Sequence, residues 1–421
     1  MRRLLVCSGA VGSLALVGVM AAACSGTPKA GAGFESEDGG TPPPGQGYDS
    51  GGPSNGTDTG TTGMFTPGSD SGVTGSSDAD LQGDGPIDTT PPCDMGLAVD
   101  DANAASFAKA LGICTTVSGA GYGLVSATYS NAYGSTTAPH AGQWGLLPGF
   151  GSVIIPREGS SIGVLSSGYA RQYDDAQGTL LNTMNDPFYN VGADSDFVNS
   201  SPDGPLDGMN YPTGTAPPGF PQAAQGCQQD NLVNDMIDVK LVLKAPPNAT
   251  GFQFDFDFYS SEWPNFVCSN YNDAFVAYVT SNETTGNVSF DSNKDPIAVN
   301  AAFFDRCTSG APLGCGNSQG MGAPTEPVST CGGGTSELSG TGFGDMATTI
   351  CGTSQDVSAT LGGATGWLTT SAPIKGGEQF TIDFMIWDAG DGLLDSSVLL
   401  DHFVWIGGTT TTTPVTTRPP Q

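Results

Sequence analysis

The chain has 421 residues and a formal charge of −30, with 12 Lys and Arg against 42 Asp and Glu. Such an acid excess excludes nucleic acid as a partner and makes an anionic membrane surface repulsive, so cations are its natural counterpart. Charged residues make up only 13% of the chain, while 63 Gly and 30 Pro favour turns and loops over long helices, which points to an all-β protein.

The chain opens with Met1-Arg2-Arg3, an apolar run from Leu4 to Met20 and the small residues Ala21-Ala22-Ala23, the pattern of an export signal over 1–23. Met20-Ala21-Ala22-Ala23-Cys24 resembles a bacterial lipobox, with Ala21 where Leu is commoner, and predicts acylation (palmitate) of Cys24. Plain secretion and an uncut membrane anchor are the alternatives. Of the ten cysteines, Cys7 lies in the signal and Cys24 at the cleavage point. The remainder is an even set: Cys93, Cys114, Cys227, Cys268, Cys307, Cys315, Cys331 and Cys351. A thiol at Cys24 would leave one cysteine over, which oxidising compartments tend not to tolerate. Ser25 after Cys24, in place of an acidic residue, resembles outer-membrane lipoproteins. The expected location is therefore the outer membrane or cell surface, with periplasmic or external orientation open.

Residues 24–92 are rich in Gly, Ser, Thr, Pro and Asp with few large apolar side chains, and predict a disordered tether with a reach of about 45 Å. Residues 93–407 form the folded region, and 408–421 read as a disordered Thr/Pro tail. Within the folded region, Ala102 to Leu111 shows helical periodicity ended by Gly112. Period two dominates elsewhere. In Phe252-Gln253-Phe254-Asp255-Phe256-Asp257-Phe258-Tyr259 the Phe residues share one face, predicting a half-buried strand. Ile237 to Leu243 and Phe380 to Ile386 alternate likewise, and Ala274 to Val279 and Val398 to Ile406 read as strands buried on both faces. The predicted architecture is a large, loop-rich, disulfide-stapled β-sandwich with jelly-roll-like connections and one short N-terminal helix.

Several motifs carry a family resemblance. Ser260-Ser261-Glu262-Trp263, Tyr271-Asn272-Asp273-Ala274-Phe275, Gly366-Trp367-Leu368-Thr369 and Ile386-Trp387-Asp388-Ala389-Gly390-Asp391-Gly392-Leu393-Leu394-Asp395-Ser396-Ser397-Val398 look like the choice-of-anchor L domain of bacterial surface proteins. Leu165-Ser166-Ser167-Gly168 and Gly192-Ala193-Asp194-Ser195-Asp196-Phe197 resemble it more loosely. The resemblance spans most of Cys93 to Gly407 and implies an extracellular domain whose members are fixed to the cell by different means. It supplies no activity. Trp263, where Tyr is commoner, and a Cys-rich insert over 307–351 depart from the pattern.

The sequence contains no Cys-x-x-Cys and only two His, so four structural disulfides of open pairing are expected in place of a zinc site. Gly159-Ser160-Ser161-Ile162-Gly163 and Gly316-Asn317-Ser318-Gln319-Gly320 match G-x-S-x-G but lack the strand, turn and helix of a nucleophile elbow. His402 lies in an apolar strand and is expected to pack there. Asp291 to Asp295 starts like an EF-hand loop, yet Pro296 stands where Gly is needed.

The acidic residues are the remaining candidates. Asp388, Asp391 and Asp395 sit on a Gly-rich turn, and the resemblance places that turn in one domain with Glu262 and Asp273. Calcium takes six to eight oxygens from such loops, so these residues are a candidate calcium site. The alternative is that they cap turns and solubilise the surface.

The expected function is a lipid-anchored envelope or surface protein acting as a binding or structural module. Its partners would be the membrane through the lipid and an unknown protein or glycan. No catalytic residue is assigned. The alternative is a carbohydrate-active or other hydrolytic enzyme using Asp255 or Asp257 with Glu262.

Overall fold

The computed structural model describes residues 87, 90–171, 173–174, 179–180, 214–224, 226–227, 229–300, 303–314, 328–344, 347–350, 357–360, 362–392, 394–408 and 413–419. These all fall within one compact unit, Ser77–Gln421. The signal segment 1–23, Cys24, most of the tether, Asp194, Asp196, Cys315, Ser318 and Cys351 lie outside the described residues.

The helical expectation at Ala102 to Leu111 is met by α1 (Ala104–Ala110), where the Asn103 side chain caps the Ala105 N–H and Gly112 follows at φ 94°. A single turn, α2 (Val117–Ala120), adds to the predicted helix content. The strands are β1 (Gly123–Ser130), β2 (Trp144–Leu147), β3 (Ile162–Ser166), β4 (Tyr173–Asp174), β5 (Thr179–Leu180), β6 (Val233–Lys244) and β7 (Ala249–Ser260). They continue with β8 (Ala274–Thr280), β9 (Thr285–Asn287), β10 (Ile297–Ala298), β11 (Ala347–Ile350), β12 (Val357–Thr360) and β13 (Gly363–Ala364). The last are β14 (Leu368–Pro373), β15 (Gln379–Ala389), β16 (Ser396–Gly407) and β17 (Val415–Thr417).

Two antiparallel sheets hold most of these strands. The first runs β1-β6-β15-β8-β10 with β9 beside β8, and the second runs β17-β14-β7-β16-β3-β2 with β13 beside β7. The hairpins β4-β5 and β11-β12 stand apart. The chain alternates between the sheets, β6 and β15 entering one while β7, β14 and β16 enter the other.

The Phe row of β7 lies between the sheets. Phe252, Phe254, Phe256 and Phe258 are fully buried. Phe254 meets Phe384 of β15 with ring centroids 5.0 Å apart, Phe256 meets Phe275 of β8 at 5.0 Å, and Phe252 meets Phe380 at 5.6 Å. Helix α1 closes part of this core: a Cβ at Gly163 of β3 would fall 2.8 Å from both Leu111 and Phe107, so the helix rests directly on the strand backbone.

Four expectations need correction. β7 is buried on both faces, because Tyr259 joins a second apolar cluster with Phe150, Ile154, Leu338, Phe343 and Leu399 on the outer side of its sheet. The loop and insert residues that cover this face are remote in sequence. The tail is not structureless throughout: Val415–Thr417 pairs with β14, Thr416 bonds Thr370, and Arg418 donates to the carbonyls of Thr365 and Phe303. β-branched residues suit such an edge strand. At the other end, Ile87 of the tether donates its N–H to Trp405 and packs on the core. His402, finally, lies in a strand, β16, as expected, but at a bulge and against Asp255 in place of apolar packing.

Three disulfides close among the described residues: Cys93–Cys114, Cys227–Cys268 and Cys307–Cys331. They staple the start of the domain, the approach to β6 and the base of the insert.

Because Phe254 fills the space between the sheets with no exposure, Phe254→Ala should cost about 3–5 kcal/mol. Chemical denaturation of the purified domain checks this, and a loss below about 1.5 kcal/mol would show that the Phe row is not the core of the fold.

Candidate functional site

The strand ends bring five acidic side chains into one region at one end of the sandwich. Glu262 follows β7, and its backbone N–H is received by the Ser260 hydroxyl at 3.1 Å. Asp273 precedes β8 and is tied across to β15 and β16: Oδ1 accepts from the Ala389 N–H at 3.0 Å and Oδ2 from the Ser396 hydroxyl at 2.6 Å. Asp388 ends β15, where the pairing register with β6 shifts. The Asp391 carbonyl accepts from the Asn234 side chain at 2.7 Å, and the Asp395 carbonyl accepts from the Ser261 N–H.

Ser166-Ser167-Gly168 at the end of β3 completes this end. Ser167 exchanges backbone and hydroxyl bonds with Ser396, Ser166 bonds Ser397, and a Cβ at Gly168 would fall 1.8 Å from Asp395 Oδ2. Only glycine fits at 168. The motif segments built around Ser260, Asp273, Asp388 and Ser166 are therefore physically joined, and the joints are hydroxyl and carboxylate bonds between strand ends.

Electrostatically this end is under load. Burial, and then the charge of Asp273, pushes the Glu262 carboxyl well above its usual range. Burial likewise raises Asp388, with Asp273, Asp395 and Asp235 adding repulsion and the nearby Ser167 opposing it. Burial raises Asp273 to about 7 despite its hydrogen bonds. Neither carboxyl oxygen of Asp388, nor Oε2 of Glu262, meets a hydrogen-bond donor in good geometry among the described residues. No group of three or more His, Cys, Asp or Glu among the described residues is arranged to hold a metal ion as the side chains lie. Asp235, buried at φ 49° on β6, belongs to the same electrostatic group and was missed in the sequence. Its only sequence signal is an acid set among apolar strand residues.

A second polar group occupies the outer face of β7. Asp255 Oδ2 accepts from Arg157 Nε at 2.6 Å and lies 3.0 Å from His402 Nδ1, while Oδ1 accepts from Thr369 at 2.5 Å. Burial opposes ionisation, but the bonds from His402 and Thr369 and the charge of Arg157 hold the Asp255 carboxyl below its ordinary value. The Asp255 bond raises His402 in turn. His402 stands at a bulge in β16, between Asp401 and Val404, at φ 53°, which turns the ring onto Asp255. Asp257 is fully buried, bonded to Thr365, and raised by burial to about 7.

The carboxylates considered for glycoside chemistry are thus grouped differently from the expectation. Glu262 interacts with Asp273 and Asp391, while Asp255 and Asp257 belong to the Arg157 and Thr365 networks.

Residues 227–403 match the family profile of the Choice-of-anchor L domain. The matched stretch is narrower than Cys93 to Gly407, and takes in β6 to β15 with most of β16. Upstream strands belong to the same sheets nonetheless, since β1 pairs with β6 and β3 with β16. No curated protein and no solved structure matches the chain. Among the described residues no helix is long and apolar enough to cross a membrane.

Carboxyls with raised folded pKa bind protons more tightly in the folded than in the unfolded state. Their contribution is complete below about pH 4 and is lost as pH rises towards their folded values. Asp273, Asp257 and Asp401, each near 7, and Asp238, near 8, all act in this direction. His402, raised, has the same sign, and Asp255, lowered, loses its contribution only below about pH 4. In chelator, the melting temperature should fall by about 5 °C or more between pH 5 and pH 7.5. Asp388→Asn should flatten that slope. A melting temperature that rises over this range would contradict the assigned burial.

Proposed function

We propose that this protein is an exported, lipid-anchored binding or structural module of the cell envelope, with its acidic strand end ordered by calcium. The observation that carries the reading is the choice-of-anchor L match over 227–403, from β6 to most of β16. A surface-associated domain of this kind agrees with the lipobox-like Met20-Ala21-Ala22-Ala23-Cys24 and with the long polar segment behind it.

Calcium is supported by the charge balance of the strand end. Glu262, Asp273, Asp388 and Asp395 are buried together, and the oxygens of Asp388 and Oε2 of Glu262, which meet no donor in good geometry among the described residues, are costly in a low-dielectric region unless a proton or a cation neutralises them. The Gly390-Asp391-Gly392 turn is the part that would adjust to complete an oxygen shell. Calcium tolerates such irregular geometry, where zinc or magnesium does not.

Two measurements test the two halves separately. In a host that processes lipoproteins, labelled palmitate should enter the wild type and be lost in Cys24→Ser. Label retained by the variant refutes acylation at Cys24. For the cation, isothermal titration of chelator-treated protein with calcium should give heat and raise the melting temperature, and Asp388→Asn or Asp391→Ala should weaken binding at least tenfold. No heat from the wild type removes calcium from the reading and leaves the display function to the palmitate result.

A further inference from the structure

On the outer side of the β7 sheet, remote in its contacts from the acidic strand end, lies an open cavity of about 580 Å³. Ile155, Pro156 and Arg157 form one wall, Ser336 and Glu337 another, and Trp367 contributes the aromatic surface. The volume is that of a small-molecule site. Beside it the loop exposes Val153 and Ile155, which are 52% and 70% accessible. A turn through Gly366, at φ 66°, delivers Trp367 to this position just before β14.

The charges of this cavity are already balanced. Arg157 is held from behind by Asp255 through Nε at 2.6 Å, and Glu337 is held by Arg306 through Oε2 at 2.8 Å. Both side chains are thereby fixed in place, yet each keeps hydrogen-bonding capacity among the described residues: the two terminal amino groups of Arg157 and Oε1 of Glu337. The Arg157 guanidinium lies over the Trp367 ring, 5.6 Å from its centre, so a cation–π contact joins the two and the indole beyond that contact lines the cavity. Asp255 and Arg306 already neutralise these two charges, so an ionic ligand gains little net attraction here. A chain of charge −30 repels polyanions further.

What remains favourable is a neutral molecule with an apolar face for Trp367 and hydroxyls for Arg157, Glu337 and Ser336. We infer that this cavity is a binding site for a neutral carbohydrate, with the part of Trp367 that lines it as the apolar contact and Arg157 and Glu337 as hydroxyl partners. The inference supplies a ligand class for the binding-module reading. It can fail without that reading failing, because sugar binding is measured on purified protein whatever the outcome of palmitate labelling.

The full chain, purified in a detergent without sugar head groups, is titrated calorimetrically with cellohexaose, maltohexaose and chitotetraose, and with polygalacturonate as the charged comparison. At least one neutral oligosaccharide should bind. Trp367→Ala should weaken that binding at least tenfold, and Arg157→Lys, which keeps the charge on Asp255 but loses the fork, several-fold. Trp367 also touches the outer apolar cluster, so Ser336→Trp, which fills the cavity from an exposed position, serves as a second variant and should abolish binding without lowering the melting temperature. No binding of any neutral oligosaccharide at millimolar concentration overturns the assignment. So does tighter binding of polygalacturonate, or binding that both Arg157→Lys and Ser336→Trp leave unchanged.

Discussion

The row of Phe side chains on β7 is the constraint on which the rest of this structure depends. Because the four rings fill the space between the sheets, β6, β8 and β15 must present apolar residues to them, and the opposite edge of β7 is committed to facing outward. That edge carries Gln253, Asp255, Asp257 and Tyr259. Polar groups on a central strand must then be paired from outside the sheet, and the chain does this with residues far away in sequence: Arg157, His402, Thr365 and Thr369. The second apolar cluster around Tyr259 and Phe343 closes the same face. A single alternating strand thus generates both the hydrophobic interior and the polar floor beneath the cavity that Trp367 lines.

At the end of the sandwich the same logic is pushed further. Strands β3, β7 and β15 end where β16 begins, and these ends are joined by Ser and Asp side chains in place of apolar packing. Hydroxyls from Ser166, Ser167 and Ser396 satisfy some of the acceptors, and Asp273 is among the best bonded. Asp388 and Glu262 are not satisfied to the same degree. An end built this way is sensitive to proton and cation activity in a manner the Phe core is not.

Elements with strong local periodicity were legible in the sequence. The Phe alternation of β7, the shorter alternations of β6 and β15, and the Asn103-capped helix each follow from residues adjacent in the chain. The coverage of Asp255 and Asp257 was not legible, because no local pattern announces that a loop at 157 and an insert at 337 will lie over a strand at 255. The strand at 415–417 was hidden for a different reason: a Thr-rich segment has the composition of a linker, and only the vacant edge of β14 gives it a partner. His402 misleads by its apolar neighbours, since a bulge inverts its direction. Of the acidic end, Glu262, Asp273, Asp388, Asp391 and Asp395 could be named from their motifs, whereas Asp235 has no motif around it.

The docking of Ile87 has a mechanical consequence. Its backbone bond to Trp405 attaches the incoming chain to β16, an interior strand flanked by β7 and β3, and the Cys93–Cys114 bridge lies a few residues further along. Among the described residues, load entering at Ile87 is borne by that bond and its side-chain packing as well as by the covalent loop further along, which passes it to the segment following α1. Ile87 takes part in no strand pairing of either sheet, so the join is attached to the fold without being woven into it.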